Sequence, residues 1–302
     1  MTQTSLSPRA WAELVLLALI WGGSFLAIRT ALDEIGPLTS VLFRTGLAAV
    51  ILWPVVLARR LPLPREARIW AALLAMGILN NVIPFSLMAW GQLHIPTGLT
   101  SILNATTAIF GVLVAAAVFA DERLTARKAA GVGLGFAGVV TAIGPAALLD
   151  IDVTSLAQLA VIAGTFAYAC AGAWGRARLG GLPPLVAAAG MLSGSTLVML
   201  PLTLMTEGVP RLDLAPATWA GILYYAGIAT ALAYLLYYRV LAMAGSGNVM
   251  LVTLMIPPTA IGLGAAVRGE DLSPSAYAGF ALLALGLAVL DGRLLRRRRQ
   301  RV

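Results

Sequence analysis

The sequence predicts an all-α polytopic membrane protein, with ten transmembrane helices in two inverted five-helix repeats and both termini in the cytoplasm. Three observations predict this fold: an apolar composition, an uneven distribution of loop charges, and an internal repeat. Of the 302 residues, 60% are hydrophobic and 11% are charged, whereas soluble domains contain about 25% charged residues. A soluble fold could not bury this much apolar surface, so the chain must fold in lipid.

Ten apolar segments have the length of about 20 residues that a helix needs to cross a bilayer. The first of them is not expected to be a secretory signal peptide. It is too long, Arg9 is the only charge before it, and no small-residue cleavage site follows it. The predicted spans are 11–31, 38–58, 68–93, 98–119, 127–147, 155–175, 183–205, 216–238, 246–267 and 274–292.

The loop charges indicate the orientation. With the N-terminus in the cytoplasm, the opposite side receives only Arg29, Arg211 and Arg268 of the 21 Lys and Arg residues. This asymmetry follows the positive-inside rule and requires an even number of spans. Attraction to anionic membrane lipids then explains the net charge of +8 better than binding to nucleic acid does. The acidic residues of the opposite side are Asp33, Glu34, Asp150, Asp152, Glu207, Asp213, Glu270 and Asp271.

The two halves of the chain are related in sequence at a constant offset. Because each half contains five spans, an odd number, the two copies must lie upside down relative to each other. An inverted repeat of this kind places a binding site near the middle of the membrane and supports alternating access. The aligned pairs are Glu122 with Glu270, Leu124 with Leu272, Thr125 with Ser273, Gly131 with Gly279 and Gly138 with Gly286.

The motif that opens each fifth helix, with an acidic residue, leucine, serine or threonine and two glycines seven residues apart, resembles the repeated domain of the drug/metabolite transporter superfamily. Trp21–Phe25, Phe43–Arg44 and Pro257 fit the same pattern. The chain is most similar to the EamA-type family and, within it, to bacterial exporters of aromatic amino acids. The resemblance implies a bacterial inner-membrane location, with helices 1–4 and 6–9 around a central cavity. It also implies a first repeat over 11–147, a second over 155–292 and a basic cytoplasmic tail over 293–302.

Polar side chains inside the spans are candidates for lining this cavity, because they are costly in lipid and usually face the bundle interior. Pro84 lacks an N–H group and leaves the carbonyl of Asn80 without its helical bond. Pro257 acts likewise in helix 9, whereas helix 4 has Ile109 at the equivalent position, so the halves need not flex alike. Pro84 and Pro257 are therefore predicted to be gating or structural residues. The alternative for the polar side chains is bonding within or between helices. The predicted substrate-binding residues of this group are Ser24, Asn80, Asn81, Ser86, Asn104 and Thr107.

Aromatic side chains form the second group of predicted substrate-binding residues, comprising Trp21, Trp90, Tyr168 and Tyr234. Aromatic faces can hold the apolar part of a substrate while polar groups orient it. The alternative is a belt of aromatic residues at the membrane surface. That belt suits the four tryptophans near predicted span ends, which are Trp11, Trp53, Trp70 and Trp219.

Arg44 is the one cation well inside a predicted span. It could attract a substrate carboxylate, bond carbonyl groups at a helix break, or extend its long stem to the outer interface. A structural or gating role is favoured over substrate binding. No Asp or Glu lies in the interior of a predicted span, although proton-driven transporters commonly use such a carboxylate. The sequence therefore predicts facilitated diffusion or exchange.

No cofactor or metal is expected, because Cys170 is the only cysteine and His94 the only histidine. His94 is assigned to the turn after helix 3. Glycines in helices 5 and 10 predict close helix contacts. These contacts can form within one chain or between chains, so the sequence leaves a monomer and a homodimer open.

Two classes of function fit the sequence. The first is a transporter that exports small metabolites, above all aromatic or large apolar amino acids. The alternative cargo of such a transporter is another metabolite or a drug. The second is an integral membrane enzyme acting on lipid-linked substrates, which would need clustered carboxylates or a metal. The only acidic pairs suited to this, Asp121–Glu122 and Glu270–Asp271, are predicted on opposite sides of the membrane. Transport is favoured.

Overall fold

The computed structural model describes residues 7–143, 152–244 and 252–291, and the regular structure within these ranges is helical. The ends of three predicted spans (144–147, 246–251 and 292), Asp150 and the basic tail 293–302 lie outside the described residues. Eight helices are long and apolar enough to cross a membrane. They are α1 Pro8–Ala31, α2 Pro37–Ala58, α3 Ala67–Gly91, α4 Thr97–Val118, α5 Ala126–Ile143, α6 Val153–Arg178, α7 Pro184–Thr206 and α8 Pro216–Val240, which continues to Ala244.

Two further helices are shorter within the described residues, α9 Val252–Arg268 and α10 Pro274–Asp291. Local sequence signals explain where many helices begin. Proline is the first residue of α1, α2, α7, α8 and α10, a position where its missing N–H costs nothing. The side chain of Asp152 accepts a hydrogen bond from the Ser155 N–H at 2.8 Å and so caps α6.

Irregular turns lie at equivalent places in the two halves. A π-helical segment occupies Ile78–Val82 in α3, immediately before Pro84, and a second one occupies Tyr224–Leu232 in α8. In α4 the helix is interrupted between Asn104 and Thr107. The equivalent part of α9 precedes Pro257, which together with Pro258 lies inside a continuous helix. The two halves therefore share the π-helical segment, whereas the interruption of α4 has no equivalent in the described part of α9.

Contacts between helices follow the same plan in both halves. The contact of α1 with α9 has its counterpart in α6 with α4, and that of α1 with α8 has its counterpart in α6 with α3. The contact of α2 with α8 likewise corresponds to that of α7 with α3. The pairs α2–α7, α4–α9 and α5–α10 join equivalent helices. Helices α1–α4 and α6–α9 thus form one interleaved body, and α5 and α10 pair beside it.

The α5–α10 contact is formed by glycines on both helices, as the sequence predicts. A Cβ atom placed on Gly138 would lie 2.5 Å from the Leu283 nitrogen and 2.7 Å from the Gly279 oxygen. A Cβ on Gly286 would lie 2.6 Å from the Gly135 nitrogen. The two backbones therefore touch directly, as in small-residue packing between membrane helices. This contact lies within one chain.

Candidate functional site

A cavity of about 700 Å³ lies at the centre of the bundle, within the size range of small-molecule sites. Its lining comes from α1–α4 and α6–α9, whereas no described residue of α5 or α10 contributes to it. The cavity reaches the surface at the turn between α6 and α7, where Arg176 and Gly180 are exposed. The predicted site residues that line it are Trp21, Ser24, Asn80, Asn104, Thr107, Tyr168 and Tyr234.

One wall of the cavity is aromatic. Trp21 of α1 donates its indole N–H to the Ala229 carbonyl at 3.1 Å, and its ring lies 6.0 Å from that of Tyr237. Tyr238 packs edge-on against Tyr237 at 5.3 Å and stacks on Tyr234 at 6.3 Å. Aromatic pairs at these separations are mutually stabilising. The wall therefore offers a fixed apolar surface made by α1 and α8.

Arg44 points into the same cavity from α2. Its Nε atom donates to the Thr230 hydroxyl at 3.0 Å, and its guanidinium lies 3.8 Å from the centre of the Phe85 ring. Phe85 in turn meets Tyr168 edge-on at 6.3 Å. Of the three interpretations raised by the sequence, extension of Arg44 to the outer interface is therefore wrong, since the side chain turns inward.

The polar lining residues differ in how far their hydrogen-bonding groups are used. The Asn80 amide donates to Asn81 at 3.1 Å and to the Tyr234 hydroxyl at 3.3 Å. Ser24 bonds back to the Trp21 carbonyl, and Thr107 to the Asn104 carbonyl at 2.8 Å. The Asn104 side chain makes no hydrogen bond to the described residues. It is thus open to a ligand.

Three predicted site residues lie away from this cavity. Asn81 is fully buried and donates to Ser195 of α7 at 2.8 Å, so it joins two helices. Ser86 faces Met199 of α7. Trp90 packs against His94, in the turn after α3 where the sequence assigned it. Asn81 and Ser86 therefore contact a neighbouring helix, which is the alternative that the sequence left open for each polar side chain, whereas Trp90 packs against the apolar cluster that includes Leu99 and Val161.

The predicted gating or structural prolines lie behind the lining. Pro84 is buried against Gly164 of α6, since a Cβ on that glycine would lie 3.2 Å from the Pro84 Cα. Pro257 follows Ile256, which lines the cavity. Neither ring is itself part of the lining. Each proline lies instead in a helix that contributes lining residues.

Several lining residues were not among the sequence-predicted binding residues. Phe85 lies on α3 and Gln92 directly after its last residue, and Thr230 lies in the π-helical segment of α8. The spacing of Phe85 and Gln92 does give a signal, because residues seven apart share one face of a helix. Asn80, five residues before Phe85, does not belong to that face by regular helical spacing, and the π-helical segment lies between them. Thr230 gives no signal, since no proline announces the π-helical segment around it. The other unpredicted polar, aromatic or sulfur-containing members are Phe25, Met76, Met88, Arg176, Met191, Tyr237, Tyr238 and Thr253.

The mouth of the cavity carries charges that are mutually paired. Arg176 contacts Asp121 at 2.5 Å and Glu122 at 3.5 Å, and Glu122 also contacts Lys128 at 3.0 Å. The hydrogen bond from Arg176 holds the pKa of the Asp121 carboxyl below its usual value. Among the described lining residues, Arg44 and Arg176 carry the only formal charges. No described carboxylate lines the cavity.

The opposite face of the bundle is closed by carboxylates that bind helix N-termini of the other half. Glu207 accepts from the N–H groups of Leu38 and Thr39 at 2.9 and 2.8 Å, at the start of α2. Glu270 accepts from both the N–H and the hydroxyl of Thr97, at the start of α4. Carboxylates favour this position because helix N-termini present free N–H groups and positive potential.

Two further contacts complete this closed face. The Ala215 N–H donates to Glu34 at 2.9 Å, just before α8. Arg268 pairs with Asp33 at 2.9 Å, and its hydrogen bond is the main reason why the pKa of the Asp33 carboxyl lies below its usual value. Each of these contacts joins the first half of the chain to the second. The two halves are thus fastened together on the face away from the cavity mouth.

A membrane-embedded bundle of two related halves around one central cavity defines a small-molecule transporter. The chain belongs to the EamA-like transporter family, which matches residues 10–144 and 155–290. The fold therefore contains two EamA repeats. The protein is a multi-pass membrane transporter of metabolites and not an enzyme, so the alternative of a membrane enzyme is set aside.

Named relatives agree with this assignment. The chain is 30% identical over 299 residues to a "probable terminal-alkyne amino-acid exporter" of Streptantibioticus cattleyicolor, covering 98% of this chain and 97% of that protein. It is 25% identical over 284 residues to a "probable amino-acid metabolite efflux pump" of Salmonella typhimurium, covering 91% and 92%. A solved crystal structure with 18% identity superposes with a TM-score of 0.67 over 95% of this chain and 98% of that one. At that identity the match shows a shared fold.

Proposed function

We propose that this protein exports aromatic or large apolar amino acids across a bacterial inner membrane by alternating access. The observation that carries the proposal is the central cavity, which combines an aromatic wall with amide and hydroxyl groups. An amino acid presents the same combination of an apolar side chain and a polar head. The exporter and efflux-pump names of the relatives from Streptantibioticus cattleyicolor and Salmonella typhimurium support the same cargo.

We further propose that all ten helices cross the membrane and that both termini lie in the cytoplasm. Two observations support this topology. Helices α9 and α10 contact α4 and α5, their counterparts in the first half, which supports a position inside the membrane beside them. The mouth of the cavity also lies on the cation-rich side of the bundle, at the end of α6 that carries Arg176, and this favours the cytoplasmic side. The cavity is then open to the cytoplasm and closed to the outside.

The halves differ at equivalent positions, as alternating access between inverted repeats requires. Glu270 reaches across to the start of α4 in the other half. Its counterpart Glu122 contacts Lys128 in its own half and, at the cavity mouth, Arg176 in the second half. The residues that correspond to the start of α4 lie outside the described part of the chain. The structure is thus one of two conformational states, with Glu270 on the closed face and Glu122 at the open mouth. Exchange of these roles between the halves gives the outward-open state.

Energy coupling is expected to be facilitated diffusion or exchange, because no carboxylate lines the described cavity to carry a proton. Glu13, the one acidic residue buried in α1, is already engaged by Arg9 at 3.2 Å and by Arg239 at 2.6 Å. We expect that a pH gradient imposed on proteoliposomes leaves the final internal substrate concentration equal to the external one. Accumulation of substrate against its own gradient, abolished by a protonophore, would sink the proposal of uncoupled transport.

Replacing Trp21 by alanine is expected to reduce transport of aromatic amino acids at least about tenfold. The indole contributes a large part of the aromatic wall, and burial of such a side chain against a ligand is worth roughly 1.5–3 kcal/mol. The measurement is uptake of a panel of labelled amino acids by proteoliposomes. The loss should be largest for phenylalanine, tyrosine and tryptophan and smallest for alanine.

Trp11→Ala is the matched control, because Trp11 lies on the same helix but is 43% exposed on its outer surface. This variant should transport the panel as the wild type does. Equal loss in both variants would mean that Trp21 serves the fold rather than the cargo. Uptake of a nucleoside or a lipid by the wild type, with no uptake of any amino acid, would show that the proposed cargo is wrong.

A further inference from the structure

Arg44 presents a guanidinium group to the cavity with no carboxylate to balance it. Its Nε atom donates to Thr230, and one face of the group covers the Phe85 ring. The two terminal nitrogens have no hydrogen-bond acceptor among the described residues, and no described Asp or Glu lies within ion-pair distance. Because arginine has five N–H donors, four have no acceptor among the described residues and can bind a ligand.

The charge of Arg44 dominates the interior of the cavity. The other cation of the lining, Arg176, lies at the mouth and is paired with Asp121 and Glu122. A charge at this depth in a membrane protein is costly and usually marks a substrate or ion pathway. The interior therefore has a positive potential, which favours an anionic ligand over a cationic one.

The shape of the donor group narrows the choice of anion. The planar guanidinium binds a carboxylate or a phosphate through two parallel hydrogen bonds. A phosphate monoester carries nearly two charges and would need a second unpaired cation, which the described interior does not contain. A monocarboxylate matches the single charge. The guanidinium covers the Phe85 ring, and Phe85 meets Tyr168 edge-on, so aromatic side chains flank the anion site.

We infer that Arg44 binds the carboxylate of the transported substrate, and that this carboxylate is required for binding whereas an ammonium group is not. The inference deepens the proposed function and rests on it for the identity of the cargo. No described acidic residue lines the cavity to bind an ammonium group, whereas the guanidinium of Arg44 has N–H donors without an acceptor among the described residues. The substrate class is thus aromatic or apolar monocarboxylates, of which amino acids are one case.

The test compares four ligands that share one phenyl group, by equilibrium binding to the purified wild-type protein in detergent. The ligands are phenylalanine, 3-phenylpropanoate, phenylalanine amide and phenethylamine. The two carboxylates should bind, and the amide and the amine should bind at least about tenfold more weakly, since a hydrogen-bonded charge pair is lost. Arg44→Gln should bind all four weakly, and Arg44→Lys should recover part of the preference. Arg178→Gln is the control, because Arg178 lies over Trp174 outside the cavity and is exposed.

Failure of this inference and failure of the proposed cargo give different results. Equal affinity of the wild type for phenylalanine and its amide overturns the role of Arg44 and leaves amino-acid transport standing. Binding of 3-phenylpropanoate but not phenylalanine, lost in Arg44→Gln, supports Arg44 and overturns the amino-acid cargo. A folded Arg44→Gln protein that still prefers carboxylates overturns the inference. The wild-type comparison needs no variant, so it stands even where Arg44→Gln does not fold.

Discussion

We expect the Gly138→Ala variant to be substantially less stable than the wild type, although it adds a single methyl group. The new Cβ would lie 2.5 Å from the Leu283 nitrogen and 2.7 Å from the Gly279 oxygen, which are backbone atoms and cannot rotate away. Helices α5 and α10 must therefore separate along their whole contact. Overpacking of this kind costs about 1–3 kcal/mol. The measurement is thermal unfolding of the purified protein in detergent.

Gly133→Ala provides the matched control on the same helix. Gly133 is exposed, and a Cβ at that position meets no atom within 4 Å. Since alanine also favours a helix over glycine, this variant should unfold at the wild-type temperature or above it. If Gly138→Ala and Gly133→Ala unfold at the same temperature, then the backbone contact between α5 and α10 contributes nothing to stability.

The glycine pairs and the helix boundaries could be predicted from the sequence because both have local signals. Spacing alone identifies glycines on one face of a helix, and the prolines at 37, 216 and 274 mark helix starts wherever they occur. Predicted starts at 38, 216 and 274 therefore fall within one residue of the observed ones. Such signals do not depend on which helices become neighbours.

The rotation of each helix about its axis could not be predicted in the same way. Asn80 and Asn81 are consecutive, and only Asn80 lines the cavity, whereas Asn81 joins α3 to Ser195 of α7. A helix in the middle of a bundle has apolar neighbours on several sides, so its sequence shows no single polar face. Arg44 illustrates the same point. Its depth was evident from the sequence, but its inward direction depends on Phe85 and Thr230, which lie on other helices.

We expect the Glu270→Gln variant to open the closed face, because it removes the charge of Glu270. Four carboxylates join the two halves on the closed face, namely those of Asp33, Glu34, Glu207 and Glu270. Glu270 is the least exposed of them and accepts two hydrogen bonds from Thr97 of the other half. A bond to a charged group contributes about 1.5–3 kcal/mol, so the balance between states should shift about tenfold or more. The readout is a cysteine in place of Thr107 in the cavity, with Cys170 changed to serine. An impermeant thiol reagent added to intact cells should label it at least tenfold faster in the Glu270→Gln variant.

Glu122→Gln is the internal control, because Glu122 is the counterpart of Glu270 in the first half but contacts Lys128 and Arg176 at the cavity mouth. It should not raise labelling from outside. A cysteine at Val209, which is 82% exposed on the closed face, should label in the same cells, and one at Leu63 should not. Labelling at Leu63 instead of Val209 would reverse the proposed orientation. Unchanged labelling of the cavity cysteine in the Glu270→Gln variant would mean that Glu270 does not keep the outer face closed.

The pH dependence of opening at the closed face distinguishes a gate held by ionised carboxylates from a gate driven by protonation. Arg268 lowers the pKa of the Asp33 carboxyl below its usual value of about 3.9. A group with a lowered pKa stabilises the closed state above its usual pKa, and that contribution is lost only as the pH falls through the lowered value. Asp33 therefore stays ionised and paired with Arg268 throughout the range from about pH 5 to pH 8. External acidification within that range should leave Thr107→Cys as protected as it is at neutral pH, once labelling is normalised to that of Val209→Cys. Opening near pH 6 would mean that a different titrating group controls the outer face.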